Sequence, residues 1–205
     1  MLLFALHSLF RAYGWHFLFH MALPHPLRTF SALRVLRRLD FSGNTVDVDD
    51  KQAFTKIETG EKTLVGAGFC LKPLDCPSGR FNHACLCLES ASQGSWSCSA
   101  CEIRQYGQRA LQSGCSFYIM TSARDILYDI WLPSLQLRRF TSGIFFICRY
   151  SFLPFALGLV IAGIRGRLVA FTQGDCRDYR TWVQADVGMK KEQTVGSPQS
   201  AIIWR

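Results

Sequence analysis

The sequence predicts an α/β fold: a small parallel or mixed sheet with flanking helices and a cysteine-rich loop region. From residue 98 onward, amphipathic or apolar helical segments alternate with short β-rich runs, and the connections between them are short. Hydrophobic residues make up 49% of the 205 residues and charged residues 19%, which is enough apolar material for a packed core. We therefore expect one main domain.

The first helix and strand of this alternating part are 98–112 and 116–120. Ser122 is expected to cap the helix that follows, because Asp125 stands three residues later in the position that a capping box requires. Pro133 is predicted to bend or end that helix before Arg138-Arg139, since proline has no backbone N–H to donate.

Two further strands are predicted at 143–148 and 167–172, separated by the apolar segment 152–164. That segment has 13 residues, which is too short to span a membrane, so it is predicted to be a buried helix. Alternation of helices and strands favours parallel pairing through right-handed crossovers. The strands at 116–120, 143–148 and 167–172 are therefore expected to lie side by side.

Residues 65–90 are rich in glycine, proline and cysteine and are predicted to be loop around one short strand at most. Within them, Val65-Gly66-Ala67-Gly68 is a lone G-x-G without the third glycine of a dinucleotide fingerprint, and it is interpreted as a turn. The chain also lacks a P-loop, so nothing in it supports nucleotide binding.

The chain is divided into an N-terminal helical and basic extension (1–63), a cysteine-rich α/β domain (64–194) and a polar tail (195–205). A helix is predicted over 27–41. The apolar residues expected to share one face of that helix are Leu27, Phe30, Leu33, Leu36 and Leu39.

The net charge of +8 and the arginines around this helix leave two interpretations open. The helix either covers the core or lies on a membrane surface or a protein partner. A nucleic-acid partner is not expected, because no nucleic-acid-binding module accompanies the positive charge. An early start codon is a further explanation for residues 1–20, because Met21 opens a more ordinary sequence.

Cysteines are the chemically most informative residues of the sequence. Nine are present, an odd number unlike the disulfide framework of a small secreted domain, and this favours a reducing compartment, the cytoplasm. Thiolates in a short loop select zinc or an iron–sulfur cluster. The preferred ligands are Cys76, Cys85, Cys98 and Cys101, with Cys87, His83 or Cys176 as substitutes.

Other functions remain open at this stage. Cys98 and Cys101 form a C-x-x-C pair before a helix, whose N-terminus would lower a thiol pKa, so thiol–disulfide chemistry is one alternative. A non-enzymatic interaction module is another, and several unrelated buried cysteines are the simplest explanation. No G-x-S-x-G occurs and only His83 lies outside the first 25 residues, so a hydrolytic triad is poorly supported and enzymatic activity is left open.

Sites of open parallel sheets form at the carboxyl ends of the strands. The predicted strands bring Ser122, Cys148 and Cys176 to one edge of the sheet. We expect this edge to face the cysteine loop and Cys176 to complete the metal site.

Four short motifs carry a resemblance: Asp75-Cys76-Pro77, His83-x-Cys85, Cys98-x-x-Cys101 and Gly174-Asp175-Cys176. Set on an α/β body over residues 64–194, they resemble a cysteine-rich prokaryotic domain of unknown function. The resemblance implies a cytoplasmic, metal-binding protein and gives no substrate.

Overall fold

A computed structural model describes residues 14–49, 59–89 and 96–196 of the chain. Its strands are β1 (Thr45–Val48), β2 (Thr63–Gly68), β3 (Ser116–Met120), β4 (Ser142–Ile147) and β5 (Arg165–Ala170). Its α-helices are α1 (Pro26–Leu36), α2 (Leu86–Glu89), α3 (Trp96–Ser99), α4 (Glu102–Gln112), α5 (Ala123–Ile126), α6 (Leu132–Leu137), α7 (Phe152–Ala162) and α8 (Tyr179–Asp186). Shorter helical turns of the 3₁₀ or π type cover Leu18–Ala22, Phe69–Leu71, Leu127–Trp131 and Arg149–Ser151.

The five strands form one mixed sheet in the order β1-β5-β4-β2-β3. Strands β2 to β5 are parallel, and β1 pairs with β5 in the antiparallel direction. The predicted α/β class, a small mixed sheet with flanking helices, is confirmed. Strand β1 comes from the part of the chain that the sequence assigned to an N-terminal extension, and it forms an edge of the sheet.

The predicted order of the strands is wrong at one point. β4 and β5 are neighbours as expected, but β3 does not lie next to β4, because β2 lies between them. The run 65–68 is therefore not a turn: it belongs to β2, whose side chains are almost all buried. Close packing explains why glycine occurs at position 66 of this interior strand. A Cβ atom there would lie 2.7 Å from Phe145 Cδ1 and 3.0 Å from Met120 Sδ.

The helix after β3 begins as predicted and ends at Leu137, before Arg138-Arg139, although Pro133 itself does not end it. Ser122 and Asp125 form a reciprocal capping box at its start. Ahead of Pro133 the helix widens into a π turn, in which the Leu132 N–H donates to the Leu127 carbonyl, and it then continues to Leu137. Pro133 lies in the first turn after this wider segment, where its missing N–H breaks no α-helical bond.

Helix α7 is the buried helix that the apolar segment predicted, and nearly all of its residues are buried against the sheet and the helices beside it. Among the described residues, no helix is long and apolar enough to cross a membrane. Helix α1 packs on α7, and the Arg28 guanidinium donates to the Ile161 carbonyl over 3.3 Å.

The predicted apolar face of α1 is only partly correct. Ala32 and Leu36 are its buried residues, whereas Leu27 and Phe30 are exposed, because the helix turns the side of Ala32 toward the core. The described end of the predicted tail is attached to the body: Val195 bridges to Gln173.

Gly66→Ala tests the close approach in the central strand. The new methyl group overlaps Phe145 and Met120, so we expect the free energy of unfolding to fall by about 1–3 kcal/mol in urea titrations. Gly43→Ala is the control, because its Cβ meets nothing closer than the Thr45 carbonyl at 3.3 Å. Equal stability of the two variants would contradict the packing described for β2.

Candidate functional site

Lys72 organises the segment that follows the central strand. Its side chain is fully buried, and its ammonium group donates to the carbonyls of Gly79, Asn82 and Ala84 at 3.1, 3.0 and 2.8 Å. A fourth bond, 2.8 Å long, goes to the Asn82 side-chain oxygen. One cation therefore gathers the chain from Gly79 to Ala84 around itself, in a stretch that has no strand or helix.

We call residues 72–101, between the 3₁₀ turn after β2 and helix α4, the cysteine loop; its residues 90–95 lie outside the described part. Arg80 ties this loop to the rest of the molecule. Its guanidinium donates to the carbonyls of Cys70 at 3.3 Å, Lys190 at 2.8 Å and Glu192 at 3.0 Å. The loop is thereby joined to the end of β2 and to the segment after α8.

Cys87 and Cys98 of the cysteine loop are joined by a disulfide bond. The thiol–disulfide hypothesis placed the partner of Cys98 at Cys101, and the structure differs from it on this point. Cys101 lies at the N-terminal end of α4, and its thiol is free. The bond links α2 to α3 across the residues that the structure does not describe.

Cys76, Cys85 and Cys101 are the free thiols of the loop, and they share one electrostatic environment. Burial lowers the pKa of Lys72, whereas the negative charge of these three cysteines in their thiolate form raises it. Cys85 and Cys101 also interact with Cys76, and Cys101 with Cys85. Three of the four preferred ligands thus interact electrostatically with one another and with Lys72, while the fourth, Cys98, is held in the disulfide.

The sulfurs of Cys85 and Cys101 are buried and accept hydrogen bonds from backbone amides. Burial raises the pKa of the Cys85 thiol, although the N–H groups of Leu88 and Cys87 favour its thiolate. Burial likewise raises the pKa of Cys101, although the backbone N–H groups of Arg104 and Ile103 in α4 favour its thiolate. Both groups are therefore protonated at neutral pH, yet each sulfur already faces donors that would stabilise a negative charge.

Within residues 14–49, 59–89 and 96–196, no group of three or more Cys, His, Asp or Glu side chains already has the arrangement of a metal site. His83 interacts with the end of β3: its Nδ1 lies 2.8 Å from the Ile119 carbonyl and its Nε2 lies 3.8 Å from the Asp125 carboxylate. The imidazole also stacks at a tilt on Tyr118. These contacts give His83 a role in holding the loop against the sheet.

A second group of cysteines lies at the carboxyl edge of the sheet, and we call Cys70, Cys148 and Cys176 the edge thiols. Cys70 follows β2, Cys148 follows β4, and Cys176 lies six residues after β5. The Asp175 carboxylate accepts the backbone N–H of Arg149 at 3.1 Å and that of Cys176 at 3.0 Å. It thereby joins the segments that follow β4 and β5.

The edge thiols have very different acidities. The side-chain hydrogen bond from Cys148 and the Lys190 ammonium together lower the pKa of Cys176 to about 7, against the effect of burial. Its hydrogen bond to Cys176, together with burial, raises the pKa of Cys148. Burial raises the pKa of Cys70 to about 11.

The expected edge forms, but the Cys176 sulfur interacts with Cys148, with the Thr181 carbonyl at 3.8 Å and with the Lys190 ammonium at 3.7 Å. The described contacts thus place Cys176 outside the group around Lys72. Sequence reasoning missed Lys72 and the pairing of Cys148 with Cys176. Only the position of both cysteines just after predicted strands pointed to that pair.

Comparison of the chain with protein-family models, with curated proteins and with solved structures finds no match. The resemblance to a cysteine-rich prokaryotic domain therefore stays an expectation, and the chemistry is argued from the contacts above.

Lys72→Met tests the organising role of this lysine. Methionine keeps the apolar stem but leaves the four oxygen acceptors without their donor, so we expect the free energy of unfolding to fall by about 3 kcal/mol. Lys62→Met, at an exposed position, should change it by less than about 0.5 kcal/mol. Urea titrations under identical redox conditions measure both, and an effect at Lys72 no larger than that at Lys62 would contradict the assignment.

Proposed function

We propose that the cysteine loop is a thiolate metal centre, for zinc or an iron–sulfur cluster, which assembles when the Cys87–Cys98 disulfide is reduced. The ligands would be Cys76, Cys85 and Cys101, with Cys98 or Cys87 as the fourth. Two molecules of an external thiol reduce the disulfide by exchange and are themselves oxidised to one disulfide, which returns two protein thiols and supplies the missing ligand. The proposal agrees with the sequence hypothesis but adds a condition on the redox state.

The observation that carries the proposal is the environment of Cys85 and Cys101. Their sulfurs accept hydrogen bonds from backbone amides, and such hydrogen bonds also stabilise thiolates that are bound to a metal. Their pKa values are nevertheless raised by burial, so each needs a positive charge close to the sulfur before it ionises. A bound metal ion supplies that charge, since a coordinating thiol is deprotonated outright.

The same observation disfavours thiol–disulfide catalysis by Cys98 and Cys101. An attacking cysteine requires a lowered pKa, and that of Cys101 is raised. Cys98 is bonded to Cys87 and not to Cys101. A site that must be reduced before it binds metal suits a reducing compartment, in line with the cytoplasmic location proposed from the cysteine content.

Metal titration after reduction tests the proposal. The full chain, reduced and handled without oxygen, should bind zinc or accept an iron–sulfur cluster, which zinc competition assays and the brown colour of a cluster report separately. The oxidised chain should bind neither. Cys85→Ser and Cys101→Ser should weaken binding by more than the roughly 10–100-fold typical of losing an outer-sphere contact.

Cys115→Ser is the matched control for these substitutions, because Cys115 is a buried free cysteine at the opposite end of β3. It should bind metal like the unsubstituted chain. A reduced chain that binds neither zinc nor a cluster, or equal loss in all three variants, would overturn the proposal.

Attachment to a membrane surface is a second candidate function, and the exposed apolar side chains of the N-terminal segment favour it. These side chains are Trp15, Phe19, Leu23, Leu27 and Phe30, spaced by three or four residues as along one side of a helix. Leu27 is 85% exposed. The arginines that follow at 34, 37 and 38 are also exposed, which matches the charge of an anionic lipid surface.

Vesicle sedimentation tests this candidate. The chain should bind vesicles that contain phosphatidylglycerol more tightly than vesicles of phosphatidylcholine alone, and added salt should weaken binding. Leu27→Asp should lower partitioning by about tenfold, the value of one leucine side chain removed from an apolar environment. Leu137→Asp, in the exposed end of α6, should bind like the unsubstituted chain. Equal binding of both variants, or no preference for anionic lipid, would contradict membrane attachment through this face.

A further inference from the structure

A cavity of about 70 Å³ lies at the carboxyl edge of the sheet, beneath the edge thiols. Its walls are mostly apolar, with Phe69, Met120, Phe155 and Trp182 among them, and all three edge thiols face it. A second, more polar cavity of about 280 Å³ lies on the other side of Cys176 and is lined by Asp175, Lys190 and Lys191 among others. Cys176 is the cysteine that lines both cavities.

The side chains around Cys148 and Cys176 hold the two thiols in place. The Trp182 indole N–H donates to the Ser151 hydroxyl over 2.9 Å, and that hydroxyl lies 2.9 Å from the Cys148 sulfur. On the other side, the Lys190 ammonium reaches both the Gly174 carbonyl and the Cys176 sulfur. Together with the Asp175 bridge between Arg149 and Cys176, these contacts fix the two sulfurs from four separate segments.

We propose that Cys148 and Cys176 form a second, independent thiol couple, which exchanges with low-molecular-weight disulfides. Cys176 is the attacking group and Cys148 the resolving group. The polar cavity beside Cys176 gives a small disulfide access to the sulfur, and the neighbouring thiol of Cys148 provides the second half of the exchange.

The reaction proceeds in two displacements. The Cys176 thiolate attacks one sulfur of the external disulfide, which forms a mixed disulfide and releases the other half as a thiolate that takes up a proton. Cys148 then gives up its proton and attacks the Cys176 sulfur, which forms the Cys148–Cys176 disulfide and expels the second half as a thiol. Two protein thiols are oxidised and one external disulfide is reduced to two thiols.

The electrostatics support this assignment of roles. Cys148 and Lys190 favour the Cys176 thiolate, and burial and the Asp175 carboxylate oppose it. The resulting pKa of about 7 provides a large thiolate fraction at neutral pH, near the optimum for an attacking thiol. Cys70, with its pKa near 11, stays protonated and belongs to the cavity wall.

Glutathione disulfide is the probe for the test. The reduced, metal-free full chain is mixed with it at pH 7, quenched with acid, and mapped by mass spectrometry of its peptides. The unsubstituted chain should form a Cys148–Cys176 disulfide. Cys148→Ser should instead accumulate a mixed disulfide with glutathione at Cys176, and Cys176→Ser should form neither product. Cys70→Ser should behave like the unsubstituted chain.

The pH dependence separates a charge effect of Lys190 from a structural one. Below pH 7, Lys190→Gln should slow formation of the mixed disulfide in the Cys148→Ser background by about threefold to tenfold, because the thiolate loses its cation. Well above pH 8 the two rates should converge. Circular dichroism confirms that each variant is folded.

Adduct formation spread evenly over Cys70, Cys115 and Cys176, or no adduct at Cys176 in folded Cys148→Ser, would overturn the proposal. Peptide mapping assigns the products to the edge thiols or to the cysteine loop, so this outcome is independent of metal binding.

Discussion

The buried ammonium of Lys72 is the contact on which the candidate metal site depends. A lysine removed from water is costly unless its charge finds partners, and here three carbonyls and one amide oxygen provide them. The segment from Gly79 to Ala84 forms no helix or strand whose backbone hydrogen bonds would satisfy its carbonyls. The cation and the loop therefore stabilise each other, and Cys76 and Cys85 flank this segment in the sequence.

The sheet determines where the chemistry lies. β2 occupies the interior of the parallel strands with β3 on one side and β4 on the other, so the chain leaves it at the carboxyl edge and enters the cysteine loop. The same edge carries Cys148 and Cys176. Two groups of thiols thus arise close to one sheet edge. Burial raises the pKa of Cys85 and Cys101, whereas a hydrogen bond from Cys148 lowers that of Cys176.

Periodicity and local signals predicted the elements whose character is decided locally. The capping box of Ser122, the buried helix 152–162 and the parallel strands in the second half are examples, since each follows from side-chain type and spacing alone. The strand that contains Gly66 was predicted as a turn because the reason for this glycine, the close packing of Phe145 and Met120 around it, involves residues distant in sequence. Pro133 does not interrupt the helix, because a π turn upstream removes the conflict that proline normally creates.

The site was less predictable than the fold for the same reason. Cysteine spacing pointed to the loop, but spacing carries no information about which sulfurs bond, and Cys98 is bonded to Cys87. The pairing of Cys98 with Cys87 and that of Cys176 with Cys148 depend on how the loop folds over the edge. A lysine such as Lys72 gives no sign in the sequence that it is buried.

Arg80 gives the molecule a property that neither group of thiols has alone. Its guanidinium bonds the carbonyl of Lys190, whose ammonium in turn lies beside the Cys176 sulfur. Lys190 is one of the groups that lower the pKa of Cys176. Arg80 therefore connects the cysteine loop, through the backbone of Lys190, to the residue that carries this charge.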